Sequence, residues 1–362
     1  MTIGAVMEKT KGKGVRQFIL EQVGDHPRDI ARLTEREFNI SRQAVNRHIL
    51  RILSEGLMIA EGSNRRRIYK LKPIAEKQFT IPLSEGLRED VLWRSDIRPL
   101  LDDIPKNILD ICHYGFTEIV NNVIDHSAAT SLIIKLIITA INIEMTVFDN
   151  GIGIFKKIQT EFGLDDQRHA ILELAKGKLT TDPAHHTGEG IFFSSRSFDK
   201  FAIYSGGVGF HHIESGHDWL VGEEEDGTEG TLVKMKINFN SLRTLKEVFD
   251  KYSSSDDEYG FTKTIVPVSL AKYGDENLIS RSQAKRLLAR FEKFREVVLD
   301  FAGVDTIGQA FADEIFRVFQ QKNPHIHIMF INANEEVKKN IARVYQSGDT
   351  LLMAIESSST TK

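Results

Sequence analysis

The chain is poor in what several protein classes require. Cysteine occurs once in 362 residues, at Cys112. One thiol builds neither a disulfide framework nor a cysteine-based zinc site. The most apolar stretch, "SLIIKLIITAINIEM", is broken by Lys135, Thr139 and Asn142 and alternates in polarity. That pattern is too short and too regular in period two for a membrane span. The opening "MTIGAVMEKTKGKG" has no apolar core of signal-peptide length. The expectation is a cytoplasmic protein with no membrane partner. Two phosphate-binding sequences are also missing, the Walker GxxxxGK[ST] and the dinucleotide GxGxxG. What remains is ordinary for a globular protein, with 41% apolar and 27% charged residues. The length suffices for two or three domains with proper cores.

Charge is unevenly spread. The net charge is −4, yet residues 1–72 hold 15 Lys and Arg against 8 Asp and Glu. That head carries +7 and leaves −11 to the rest. A basic head on an acidic body points to a polyanion met by the head alone. Within it, "LTEREFNISRQAVNRHILRILSEGLM" reads as helix, tight turn, helix. Ser41 is a good N-cap for the second helix. Ala44, Val45, Ile49, Ile52 and Leu53 make its apolar face. Arg42, Gln43, Asn46 and Arg47 then point outward near its start, where a recognition helix meets base edges and phosphates. "LMIAEGSNRRRIYKL" follows as two short strands around a Gly62–Ser63–Asn64 turn, with Arg65, Arg66 and Arg67 at or beside the tip. These features resemble the winged helix-turn-helix family of regulators over about residues 12–72. The resemblance implies duplex DNA as a partner. It also makes a homodimer a candidate state, since such motifs often read palindromes as dimers.

A second pattern lies in "TEIVNNVIDHS" (117–127). At the helical step, Glu118, Asn121, Asn122 and Asp125 share one arc, with His126 at its edge. Phe116, Ile119, Val120, Val123 and Ile124 take the opposite arc. The polar arc alone is also how a solvated face reads. Two alternating strands follow, and the second ends in "DNGIGI", where Asp149 precedes Gly151 and Gly153. Glycines there allow backbone to approach a ligand closely. Further on, "HHTGEGIFFSS" places Thr187, Gly188 and Gly190 at a helix mouth, a ready phosphate cradle.

In order and spacing these pieces resemble the GHKL ATPase superfamily over about residues 100–240. "EIVNN" matches its N box, "DNGIG" and "TGEG" its glycine boxes, and "GTEGTLVKMKI" its closing strand. The resemblance implies ATP and Mg2+ as cofactors. It implies Glu118 as the catalytic glutamate, Asn122 as the magnesium ligand and Asp149 as acceptor of the adenine amino group. By the same resemblance His126, Gly151, Gly153, Thr187, Gly188, Gly190 and Thr231 line the nucleotide. Residues 154–187 would be the ATP lid, with Lys176 and Lys178 as phosphate contacts.

Beyond "YSSSDDEYG" strands and helices alternate, as in a small α/β layer domain. This part resembles the STAS-like domain of unknown function found with such ATPases. Its relatives include anti-anti-sigma factors, which receive phosphate on a serine at a helix start. Here Gln309 or Ala310 holds that place, and Thr306 is the nearest candidate phosphoacceptor.

The fold class expected is α/β multidomain. A winged helix (1–72) and a linker (73–99) lead to a GHKL α/β sandwich of the Bergerat type with an antiparallel or mixed sheet (100–240). A second linker (241–260), a small STAS-like α/β domain (261–350) and a disordered tail (351–362) follow. The function expected is an ATP-binding, DNA-binding transcriptional regulator with a STAS-like docking domain for a protein partner. The alternatives are a serine/threonine kinase of the anti-sigma type and an interaction scaffold that never meets DNA.

Overall fold

The computed structural model describes residues 14–63, 66–179, 188–213, 219–221, 229–253, 260–272 and 276–346. The chain packs into two compact units, one from Met1–Asp149 with Lys234–Arg243 and one from Asn150–Val233 with Thr244–Lys362. The division falls inside the segment 100–240. The mixed α/β class expected from sequence holds, with helices and several sheets.

The first unit begins with α1 (Val15–Gln22), α2 (Ile30–Phe38) and α3 (Arg42–Ser54). Asn39 ends α2 in the left-handed region at φ 48°, which a short polar side chain tolerates. Ser41 caps α3, its hydroxyl accepting from the Ala44 N–H at 3.3 Å. Strands β1 (Met58–Glu61) and β2 (Ile68–Leu71) pair antiparallel, with Met58 opposite Leu71. The expected linker 73–99 is instead built into the fold. Its charged "AEKQFTIP" forms β3 (Ala75–Pro82), and Trp93 is buried against the ring of His113 at 4.7 Å. Helix α4 (Lys106–His126) is 21 residues long. Strands β4 (Ser131–Ile138) and β5 (Asn142–Asp149) complete the antiparallel order β3-β4-β5.

The tip joining β4 to β5 is apolar. The Thr139 N–H donates to the Asn142 carbonyl at 2.9 Å, and Ala140 and Ile141 lie between them. Hairpin tips usually carry Gly, Asn or Asp. These two residues are buried because they join the core of the head, with Ile19, Leu20, Val23, Val45, Ile49 and Ile52. Ile74 packs on the same core, and Asn240 donates to Glu21 at 2.7 Å. The hairpin tip therefore forms part of the head's apolar core.

The second unit holds α5 (Ile154–Phe162), α6 (Gln167–Lys176) and α7 (Gly190–Ser197). Strands β6 (Lys200–Ser205), β7 (Val208–Ile213) and β8 (Trp219–Val221) run antiparallel in that order. β9 (Thr231–Asn238) gives its first three residues to this unit. Within the expected second linker, α8 (Leu245–Lys251) is a regular helix started by a Thr244–Glu247 capping box. A parallel sheet β10 (Lys263–Pro267), β11 (Glu296–Asp300) and β12 (His327–Ile331) follows. α9 (Arg281–Leu288) crosses from β10 to β11. α10 (Gln309–Asp313) runs on through the π-wound Glu314–Phe319, and α11 (Glu335–Gln346) ends the described chain. The segment expected as a tail, 351–362, lies outside the described residues.

Candidate functional site

In the first unit the polar arc of α4 is where the pattern puts it. Phe116, Ile119, Val120 and Val123 are buried, while Glu118, Asn121, Asn122 and His126 are half-buried and Asp125 is exposed. Asn122 Nδ2 donates back to the Glu118 carbonyl at 2.7 Å. That uses one of its two N–H donors and orients the amide, whose Oδ1 is an oxygen of the kind that suits a hard cation. Along β5 the buried residues alternate as Ile143, Met145, Val147 and Asp149. A carboxylate thus continues an apolar row, 2% exposed and opposite Leu132. Helix α4 packs on β5. Burying a carboxylate costs free energy that polar partners must offset.

In the second unit Gly153 stands before α5 at φ 85°, which favours glycine. A Cβ there would lie 2.6 Å from Ser205 Oγ and 3.3 Å from the Gly230 carbonyl. Ser205 Oγ donates to that carbonyl at 2.8 Å, and Thr231 Oγ1 accepts from the Ile154 N–H at 3.0 Å. The Thr231 hydroxyl therefore caps α5. Gly151 precedes this knot by two residues. Gly188 has φ 70°, and its carbonyl accepts from the Leu179 N–H at 3.1 Å. A Cβ on it would fall 2.4 Å from Leu179 backbone. Gly190 opens α7. Thr187 lies outside the described residues.

The two lysines expected at phosphate, Lys176 and Lys178, are engaged by protein groups. All residues of α6 from His169 to Lys176 are buried. Lys176 Nζ meets Glu173 Oε1 at 2.6 Å and donates to the Ala289 and Arg286 carbonyls at 2.9 and 3.3 Å. These are last-turn carbonyls of α9 and its cap, which attract a cation. Burial lowers Lys176 to about 8, although Glu173 pulls it back up. Lys178 Nζ donates to the Lys293 carbonyl at 3.1 Å and lies over the rings of Phe261 and Phe294. Burial lowers it too, against the nearby Glu189 carboxylate. Sequence reasoning missed the partner that closes this cluster. Arg290 Nη1 donates to Glu173 Oε2 at 2.8 Å.

In the head, Ser41, Arg42, Gln43, Asn46 and Arg47 are all exposed along one side of α3, as are Arg66 and Arg67. Arg65 lies outside the described residues. Thr306 is half-buried and precedes α10, whose cap is Gly308 and whose first residue is the exposed Gln309. No hydroxyl stands at that helix start.

Residues 283–338 match the family described as STAS-like domain of unknown function (DUF4325). The match runs from within α9 through β12 and enters α11. No curated protein matches the chain. Among the described residues, no helix is long and apolar enough to cross a membrane.

Proposed function

We propose that the chain is an ATP-binding regulator whose basic head binds duplex DNA and whose STAS-like segment serves protein contact. The observation that carries the nucleotide reading is Asp149, a carboxylate in the buried apolar row of β5. In the GHKL resemblance this aspartate accepts from the adenine amino group. Guanine would set a carbonyl oxygen against it. Asn122 fits as the one protein ligand of a magnesium ion otherwise held by phosphates and water, which is how that cation is usually bound. Glu118, one turn earlier on α4, fits the group that orients or deprotonates an attacking water. The glycines at 151, 153, 188 and 190 keep their assignments to the nucleotide by resemblance, and Thr231 joins them through its cap of α5. Exposed Arg42, Gln43, Asn46 and Arg47 support the DNA reading, as does the +7 charge of residues 1–72.

Titration calorimetry of the full chain with MgATP tests the nucleotide part. Wild type is expected to bind ATP in preference to GTP. Asp149→Asn should weaken ATP by about tenfold to a hundredfold, from the roughly 1–3 kcal/mol of a mismatched buried polar contact. Equal ATP affinity in the two proteins sinks the assignment.

A further inference from the structure

The strongest unexplained feature is the charged cluster around α6. Glu173 and Lys176 are 4% and 0% exposed, on a helix that sequence reads as part of a lid. Buried ions persist only where they are paired and hydrogen-bonded. Here the pairing comes from the segment that matches the STAS-like family. Arg290 grips Glu173 through Nη1 at 2.8 Å, while Nη2 donates to the Gly177 carbonyl at 3.1 Å and to the Lys178 carbonyl. Thr264 Oγ1 donates to the Lys176 carbonyl at 2.8 Å. Three consecutive carbonyls, 176 to 178, are thus held by side chains of the C-terminal segment. The next residue, Leu179, donates its N–H to Gly188. Arg290 itself sits in the left-handed region at φ 67°, a conformation that costs a non-glycine residue free energy and persists only when surroundings enforce it.

We infer that Arg290 is a positioning residue for the second glycine box. It fixes the arm 177–179, and the arm fixes Gly188 at the mouth of α7. This rests on the ATP reading for its functional consequence, though not for its geometry. The STAS-like segment would then set how well the glycine box receives phosphate, with no residue of its own touching nucleotide. Phe261 closes the same joint, because a Cβ on Gly177 would lie 2.7 Å from its ring.

The test uses the full chain and two variants. Arg290→Lys keeps the charge beside Glu173 but loses the planar fork that reaches both carbonyls. Arg290→Gln removes the fork and the charge yet leaves Glu173 paired with Lys176. It serves in place of Arg290→Lys if that protein does not fold by circular dichroism. Hydrogen exchange of Leu179, measured without nucleotide, is expected to quicken by about tenfold, the worth of one good hydrogen bond. ATP affinity should fall by a similar factor. Unchanged exchange at Leu179 in a folded variant overturns the inference. So does quickened exchange with wild-type ATP affinity. If wild type binds no ATP, the nucleotide reading fails on its own, and the exchange result alone decides whether Arg290 orders the arm.

Discussion

Lys176 makes a quantitative claim that needs no assumption about function. The substitution is Lys176→Met, which fills the same volume and leaves Glu173 paired with Arg290 at 2.8 Å. No buried charge is stranded, so the large penalty for breaking a buried pair does not arise. In the folded chain burial lowers the lysine from 10.5 to about 8; Glu173 and Glu292 raise it, and Arg290 lowers it further. Between those two values the unfolded chain holds the proton and the folded chain sheds it. Stability therefore rises with pH across that window, because the unfolded state binds more protons. Below about pH 8 the burial penalty on the ammonium is fully present. By about pH 10 most of it is relieved. At 1.36 kcal/mol per unit, the shift corresponds to roughly 2–3 kcal/mol over the interval. Tyrosines and other lysines titrate there too, so the informative quantity is the difference between wild type and Lys176→Met. Urea unfolding at pH 7, 8.5 and 10, followed by circular dichroism, gives it. Wild type should gain about 2–3 kcal/mol on the variant across the series. A difference that stays flat with pH refutes the buried, charged lysine.

Two further expectations concern the first unit. Replacing Arg66 and Arg67 with alanine should weaken binding to all duplex sequences alike. It should flatten the salt dependence by about one unit for each phosphate interaction removed, read by fluorescence anisotropy at several salt concentrations. Unaltered slope would remove these arginines from the DNA reading. Ile141→Ala should cost about 2–5 kcal/mol, as large-to-small core changes do. Because Ile141 belongs to the head's core, hydrogen exchange should quicken in α1 and α3 as well as in the hairpin. Exchange confined to the hairpin would show that the core is not shared.

Much of the fold is legible in the sequence, and the failures have physical reasons. The arcs of α4 follow from its helical period, and the cap at Ser41 from side-chain chemistry. The buried phase of Asp149 follows from the period of β5. The segment 75–82 misleads because an edge strand keeps its charged residues in water, so "AEKQFTIP" looks like a linker. Lys176 misleads because Glu173 and Lys176, three apart on a helix, have the spacing of an ordinary surface pair. Their burial depends on Arg290, 117 residues beyond Glu173, which no local pattern reveals. One overlooked signal is local. The hairpin tip "AI" lacks the Gly, Asn or Asp that an exposed tip favours, and an apolar tip calls for something to cover it.

That tip also changes what the head can be. The boundary at residue 72 cuts a core that closes only with Ile74, Ala140 and Ile141. An excised head would expose apolar surface, so the test of the proposed DNA binding belongs on the full chain. Ile141 immediately precedes β5, the strand that ends in Asp149. β5 covers eight residues, roughly 25 Å at strand rise, and its neighbour β4 braces it by continuous antiparallel pairing. Asp149 thus lies at one end of a stiff element whose other end adjoins a hairpin tip packed in the core beneath α3. Stiffness alone transmits nothing, since a ligand shifts an equilibrium only by its unequal affinity for two states. If the proposed ATP and DNA sites both bind, the head responds to nucleotide only where its two arrangements, bound to DNA and free, set β5 differently. In that case ATP must change DNA affinity and DNA must change ATP affinity by the same factor. Titrating each ligand in the presence of the other measures both sides of that equality.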